Sequence, residues 1–504
     1  MIEAAGTGFA SGLPSCGLVA KGVPAWVGGG VQRAAAAWLR ILLDKWGVSC
    51  YSIYEKCEKV QKSFIESEGK EMEIKRDFYL EKMIQRKGNG LIKIITGVRR
   101  CGKSYLLNTI FYNHLIKDGV RPDHIIKFAF DSAADIEKIG ESIIQLDVEK
   151  RKVSPEKFMA YIKEQIADDQ TYYLLLDEVQ LLGSFEAVLN SYLREPNMDI
   201  YVTGSNAKFL SRDIITEFAG RGDEIHMFPL SFSEFMSVYD GDKYEGLSEY
   251  MLYGGIPLVV LRQDKQGKAA MLENLFSEIY VRDIIARHSV RNKGELEELL
   301  DILSSAVGSL TNPEKLKNTF HTVKKSKITA QTIRNYLEYF EDSFLVEAAK
   351  RYDIKGKAYI ETPKKYYFAD LGLRNARINF RQFEPTHTME NVIYNELRMR
   401  GYNVDVGVIP ITEKNVNGST IRKHLEVDFV CNLGSKRYYI QSAYSMPDEA
   451  KYAQEVRPLV KIDDSFKKIV ITHDIVPAQY DNNGILTINI YDFLLNPKAM
   501  IGEI

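Results

Sequence analysis

Apolar and polar positions follow two different rhythms along this chain. From Leu91 to about residue 235, short and nearly continuous apolar runs (LIKIITG, HIIKFAF, TYYLLLD, MDIYVTG) are each followed by polar or helix-patterned sequence such as SYLLNTIFYNHLI. Runs of that length suit parallel strands covered on both faces, so an α/β core is expected over 72–235. Strand signals then stop. LSEYMLYGG, KAAMLENLFSEIYVRDIIARH and ELEELLDILSSAVGSL read as helices of a lid over 236–300. Two short helices, NPEKLKNTF and TAQTIRNYLEYFEDS, come next. They precede two strand-like runs, FLVEAAKRY and KKYYFAD, joined by a basic loop. Two helices and a hairpin make a winged-helix pattern over 301–370. A helix, MENVIYNELRMRG, and the strands YNVDVGVI, LEVDFVC, RYYIQSAYS and KKIVIT make a second α/β domain over 380–485, with a tail over 486–504.

Composition narrows the picture modestly. The chain has 504 residues, 45% hydrophobic and 27% charged, with a net charge of -2, so any nucleic-acid or membrane surface must be local. Five cysteines without a C-x-x-C argue against a disulfide framework or structural zinc and fit a reducing compartment. The uncharged run Ala4 to Ala20 contains Pro14 and is shorter than the roughly 20 apolar residues of a membrane span. A cytoplasmic protein without a membrane partner is expected. Residues 1–71 hold all three tryptophans and Gly-rich stretches such as VGGG, and read as a poorly ordered extension. A sharper reading places the natural start at Met72.

One motif carries specific chemistry. GVRRCGKS (Gly97, Val98, Arg99, Arg100, Cys101, Gly102, Lys103, Ser104) fits G-x-x-x-x-G-K-[ST] between a strand and a helix that continues with Tyr105. Glycines let backbone N–H groups curl toward phosphate oxygens at a helix N-terminus. Lys103 is expected to reach the β- and γ-phosphates of ATP, and Ser104 to ligate Mg²⁺. In TYYLLLDEVQ, Asp177 ends a buried strand 74 residues after Lys103, where ligands bind in open α/β sheets. It would hold Mg²⁺, and Glu178 would orient the attacking water. Asn206, just past MDIYVTG, would sense the γ-phosphate. Arg221, in FAGRGDEI, is a candidate arginine finger in cis or from a neighbouring subunit, with Arg212 a weaker one.

Together GVRRCGKS, LLLDEVQ, VTGSN, the GR-then-PLSFSEF stretch and YGGIP resemble a large prokaryotic family of AAA+-superfamily ATPases with a C-terminal domain of unknown function. The resemblance covers roughly Met72 to the end. It implies a P-loop AAA+ parallel-sheet core, a helical lid, a winged helix and a C-terminal α/β domain of restriction-endonuclease type. It also implies ATP binding and hydrolysis, without a defined cellular task.

Two further surfaces remain. From Thr311 to Asn335 six basic residues face one acidic residue, Glu314. Lys324, Lys325 and Lys327 would touch phosphates of DNA or RNA, while Gln331 and Arg334 open the recognition helix. The alternative is a protein-binding face. At the C-terminal end a restriction-type nuclease needs a helix acid, a strand-end Asp and (D/E)-x-K. Glu390 and Asp428 match the first two, with Glu396 a second helix acid. The last motif reads Gln441, Ser442, Ala443, losing an acid and the lysine. Lys451 is the nearest lysine beyond it in the following segment. A degenerate, non-cutting site is expected. The primary expectation is a Mg²⁺-dependent ATPase acting as a switch or motor on nucleic acid, in which an arginine finger would favour homo-oligomers. A nucleotide-dependent regulatory module for a protein partner is the alternative, and an ATP-gated nuclease ranks third.

Overall fold

A strand that is apolar on both faces needs cover above and below, and the first sheet is built that way. The computed structural model describes residues 74–142, 152–204, 218, 220–382, 384–414 and 420–501, the side chains of 278–280, 324 and 414 excepted. The expected extension over 1–71, Asn206 and Arg212 lie outside the described residues. Helix α1 (Asp77–Gln85) leads to β1 (Ile92–Gly97). Helix α2 begins over Lys103–Tyr105, continues as π-helical turns over Leu106–Phe111 and ends over Tyr112–Lys117. Then come β2 (Ile125–Ala129), α3 (Ala133–Lys138), α4 (Pro155–Gln165), β3 (Tyr172–Asp177), α5 (Phe185–Tyr192), β4 (Met198–Thr203) and β5 (Gly222–Met227).

The strands pair in parallel in the order β2-β3-β4-β1-β5. Every residue of β1 and β3 is buried. Two details escape the apolar pattern. Lys93, inside the run LIKIITG, is fully buried, ion-paired to Asp199 on β4. The Tyr201 hydroxyl also donates to Asp199, at 3.1 Å. Strand β5, GDEIHM, has no apolar run because it forms the half-exposed edge of the sheet.

The following stretch is helical as expected: α6 (Phe232–Met236), α7 (Lys243–Tyr253), α8 (Pro257–Val260), α9 (Lys265–Asn274), α10 (Arg282–Arg287) and α11 (Lys293–Ser305). Leu275–Val281 forms π-helical turns between α9 and α10, where the sequence suggests one helix. Among the described residues no helix is long and apolar enough to cross a membrane.

The last part contains β6 (Leu310–Thr311), α12 (Pro313–Lys324), α13 (Ala330–Asp342), β7 (Val346–Asp353), β8 (Ala358–Phe368), α14 (Leu371–Arg377) and α15 (Pro385–Met399). It continues with β9 (Asn403–Lys414), β10 (Thr420–Leu433), β11 (Lys436–Ala443), α16 (Glu449–Val460), β12 (Lys467–Thr472), β13 (Gln479–Tyr480), β14 (Leu486–Asn489) and α17 (Ile490–Leu495). The sequence sets 301–370 apart from 380–485, yet strands of both lie in one sheet, ordered β13-β14-β12-β11-β10-β9-β7-β8-β6. The seam is a parallel pairing of β7 with β9, Arg351 to Val406 through Asp353 to Val408. Gly407 sits in that seam because a Cβ there would lie 2.9 Å from Ile354, Val427 and Val430. One apolar cluster joins the first sheet and the helical stretch to α12 and α13, and a second joins α6 and α7 to the C-terminal strands. Gly407→Val should therefore cost about 1–3 kcal/mol by overpacking. Urea unfolding monitored by circular dichroism measures it, and an unchanged midpoint would show that the seam has slack.

Candidate functional site

The phosphate-binding sequence folds into a loop whose shape depends on close backbone approach. Gly97 ends β1 with φ 134° and pairs with Met227, and a Cβ there would lie 2.0 Å from the Met227 carbonyl oxygen. Arg100 and Gly102 also have positive φ, 66° and 103°, before α2 begins at Lys103. The buried Lys103 ammonium turns back on its own loop and donates to the carbonyls of Gly97 (2.9 Å) and Val98 (3.1 Å). Val98 and Cys101 are buried, whereas Arg100, Ser104 and Tyr105 are exposed. Arg99 reaches the helical stretch, its Nη1 lying 3.6 Å from Asp283 on α10, which also binds Arg287 at 2.8 Å.

Arg76, just before α1, braces this loop from behind. Its guanidinium is 3% exposed and donates to Cys101 O (3.0 Å) and Phe228 O (2.8 Å). It also pairs with Glu234 at 2.9 Å. The motif search missed it, since RDFYLEKM reads only as a charged helix.

At the end of β3, Asp177 is buried and gathers neutral donors. Thr203 on β4 donates to Oδ1, Asn108 on α2 donates to Oδ2 at 3.3 Å, and Ser104 is hydrogen-bonded to it as well. Burial raises the Asp177 pKa above the usual carboxylate value, against the lowering effect of Thr203 and Ser104. Glu178 adopts φ 53°, and its N–H donates to the Thr203 hydroxyl at 3.3 Å. The amide of Gln180 holds its carboxylate. Thr203 thus ties both acids to the neighbouring strand. It lies in the VTGSN stretch, three residues before the Asn206 singled out from sequence. Lys103, Ser104, Asp177 and Glu178 converge at the carboxyl ends of β1 and β3.

Arg221 does not join them. Its carbonyl accepts from Ile92 N at 2.8 Å, and its Nη1 donates to Asn190 at 3.0 Å. It stands at the start of β5, a strand length, about 16 Å, from the phosphate loop at the other end. That distance puts its side chain out of reach of its own chain's phosphate loop.

Of the expected nucleic-acid contacts, Lys325, Lys327 and Gln331 are exposed around the α12–α13 turn. Thr329 caps α13 by accepting from Thr332 N at 3.1 Å. Arg334 is half-exposed, with Gln331 and Glu314 each at 3.4 Å. The side chain of Lys324 is outside the described set.

The C-terminal acids do meet, around a lysine that the sequence reading counts with the basic loop and does not connect to them. Lys365 on β8 is buried, with its Nζ 2.8 Å from Glu390, 2.8 Å from Glu426 and 3.7 Å from Asp428. The Tyr367 hydroxyl donates to Glu390 at 2.5 Å, and His387 Nδ1 lies 3.8 Å from the same carboxylate. Ser442 N donates to Asp428 at 2.9 Å. Gln441, one residue past the Phe429–Ile440 pair, is buried, and its Oε1 has no hydrogen-bond partner. Burial alone would lower the Lys365 pKa, but Glu390, Asp428 and Glu426 outweigh it and hold the ammonium above its usual value. Glu396 pairs instead with Arg400, and Lys451 with Glu455.

Parts of the chain are similar to known proteins. Residues 89–236 match an AAA domain family, and residues 244–384 match a domain of unknown function (DUF8612). An uncharacterized protein of Haemophilus influenzae is 34% identical over 428 residues, 84% of this chain and 98% of its own. One from Methanocaldococcus jannaschii is 27% identical over 405 residues, 76% of this chain and 82% of its own. Among solved structures, the Aeropyrum pernix ORC2 protein, described as ADPNP-ADP complexes, covers 60% of this chain and 91% of its own at 14% identity and a TM-score of 0.33. That score is too low to bear on mechanism.

Thr203→Val keeps the side-chain shape and removes the hydroxyl that holds Asp177 and Glu178. Nucleotide turnover should fall about 10–100-fold, as when a group orienting a metal ligand is lost. Nucleotide affinity, measured by calorimetry, should stay within a few-fold of wild type. Unchanged turnover would remove Thr203 from the site.

Proposed function

We propose that this chain, which belongs to the AAA+ P-loop ATPase family, is a magnesium-dependent ATPase whose nucleotide cycle acts on nucleic acid. The observation that carries the reading is the convergence of Lys103, Ser104, Asp177 and Glu178, with Thr203 bridging the two acids. A serine hydroxyl beside a carboxylate held by neutral donors is a hard-oxygen set suited to Mg²⁺. Ser104 and Asp177 would hold the ion, which neutralises phosphate charge when bound. Lys103 leaves its loop carbonyls for phosphate oxygens. Glu178, held by Gln180 and by the Thr203 bond to its backbone, orients the attacking water. Arg221 acts only from a neighbouring subunit, so full turnover calls for a homo-oligomer.

Helices α12 and α13 with the β7–β8 hairpin serve as a winged helix. Its exposed Lys325, Lys327 and Gln331, with Lys324 and Arg334, meet DNA or RNA phosphates and base edges. The C-terminal α/β unit is endonuclease-like and binds without cutting, since Gln441 and Ala443 replace the acid and lysine of the usual motif.

A second reading, a nucleotide-dependent module for a protein partner, is favoured by one observation. Thr96, next to the phosphate loop, contacts His226 at 3.1 Å, and His226 lies 3.8 Å from Glu347 on β7. Glu347 in turn pairs with Arg398 on α15 at 2.8 Å. A polar path therefore runs from the nucleotide site into the larger sheet, whatever that sheet holds.

ATP turnover with DNA, RNA or no polymer separates the readings. Stimulation by a nucleic acid supports the first, and basal turnover that no polymer changes supports the second. Lys103→Ala should abolish nucleotide binding. Glu178→Gln should retain bound ATP while slowing hydrolysis about 10²–10⁴-fold. Absence of hydrolysis under every condition would sink the ATPase assignment. Reversing the charge of Lys324, Lys325 and Lys327 without weakening DNA binding would exclude the α12–α13 surface.

A further inference from the structure

We infer that Lys365 is a tethered cation occupying, among Glu390, Glu426 and Asp428, the place where nucleases of this type hold a divalent metal. The inference rests on reading the C-terminal unit as endonuclease-like and non-cutting, and it supplies the reason for that loss.

Three carboxylates from two separate elements, α15 and β10, would repel one another without a positive charge between them. The charge comes from β8, a strand outside the β10–β11 hairpin on which such sites place their lysine. Lys365 Nζ stands 2.8 Å from Glu390 and from Glu426 and 3.7 Å from Asp428. Its side chain is 5% exposed. The lysine therefore cannot leave for solvent without vacating the core.

The acids are held from outside as well. Tyr367 donates to Glu390, and the Ser442 N–H donates to Asp428. Magnesium would need the same oxygens at about 2.1 Å. That places two cations within one carboxylate cage, where like charges repel strongly in a medium of low polarity. Among the described residues, no group of three or more His, Cys, Asp or Glu side chains is arranged to hold a metal ion. The Mg²⁺ implied by the resemblance to restriction-type hydrolases thus does not fit this cluster while the ammonium is there.

Removing that ammonium has a specific consequence. The cage would keep its three carboxylates with no positive charge among them. This is an oxygen donor set for a hard divalent ion. As they stand, the three carboxylates are not arranged to hold an ion, so loss of the lysine should leave them repelling one another until a hard divalent ion draws them together in its place.

The test is a Mn²⁺ titration of the full chain in nucleotide-free buffer, with free Mn²⁺ read by electron paramagnetic resonance. Lys365→Met should bind about one more ion per chain than wild type, as a three-carboxylate oxygen site requires. The extra ion should disappear in the double variant Lys365→Met/Asp428→Asn, and Mn²⁺ should raise the Tm of Lys365→Met only. Equal counts for Lys365→Met and wild type would overturn the inference. So would a wild-type ion that is lost in Asp428→Asn.

If Lys365→Met does not fold, wild type against Asp428→Asn decides alone. Equal counts support the tethered cation, and a lower count in the variant overturns it. Loss of ATPase activity does not enter this measurement. Metal binding by wild type without DNA cleavage would sink the tethered cation alone, and metal-dependent cleavage lost in Asp428→Asn would sink the non-cutting reading with it.

Discussion

A single buried guanidinium sets the geometry of much of this molecule. Arg76 donates to the carbonyl of Cys101 within the phosphate loop and to that of Phe228 just past β5, and it ion-pairs with the carboxylate of Glu234 on α6. Each partner belongs to a different part of the structure. The loop carries the nucleotide chemistry, β5 closes the first sheet, and α6 packs Phe232 and Phe235 into the apolar cluster of the C-terminal strands. A buried cation with three polar partners is costly to leave incomplete, so these parts are held in one relative position. The Tyr79 hydroxyl, accepting from Phe228 N at 3.0 Å, fixes the same junction from the next turn.

The polar route through Thr96, His226, Glu347 and Arg398 adds a second tie between the sheets. Burial lowers the His226 pKa, against the raising effect of Glu347 and Glu224, and favours a neutral ring in this network. Arg76 and this route leave the phosphate loop little freedom to shift independently of the larger sheet.

What the sequence made legible follows from how local each feature is. The phosphate loop and the Asp177–Glu178 pair are short motifs on consecutive residues, and their placement at strand ends needs only an apolar run and a helix beside it. Strands β1 to β4 announce themselves as apolar runs, even β2, an edge strand in which only Lys127 is exposed. β5, at the other edge, does not, because GDEIHM alternates charged or polar residues with few apolar ones. Thr203, Arg76 and Lys365 act through partners that are distant in sequence, and no spacing rule connects them. Lys365 lies 63 residues before Asp428, so a search confined to the β10–β11 hairpin finds a missing lysine where the fold supplies one from β8. Arg221 shows the converse: its neighbours in sequence put it among the site motifs, but parallel pairing carries it to the end of the sheet away from its own chain's phosphate loop.

The parallel seam between β7 and β9 also constrains the order in which the chain can fold. Arg351 and Val406, its first registered pair, are 55 residues apart. During synthesis β8 can form a hairpin with β7 at once, but the other edge of β7 has no partner until β9 has been made. Non-local parallel pairing is slow because loop closure precedes its reward. An unpaired strand edge is meanwhile a template for pairing with other chains. The first sheet, whose strands end at Met227, is complete in sequence well before that point. It can serve as a finished platform while the later sheet assembles against it. The nascent chain is thus most exposed to misassembly between the emergence of β8 and that of β9, an interval spanned by α14 and α15.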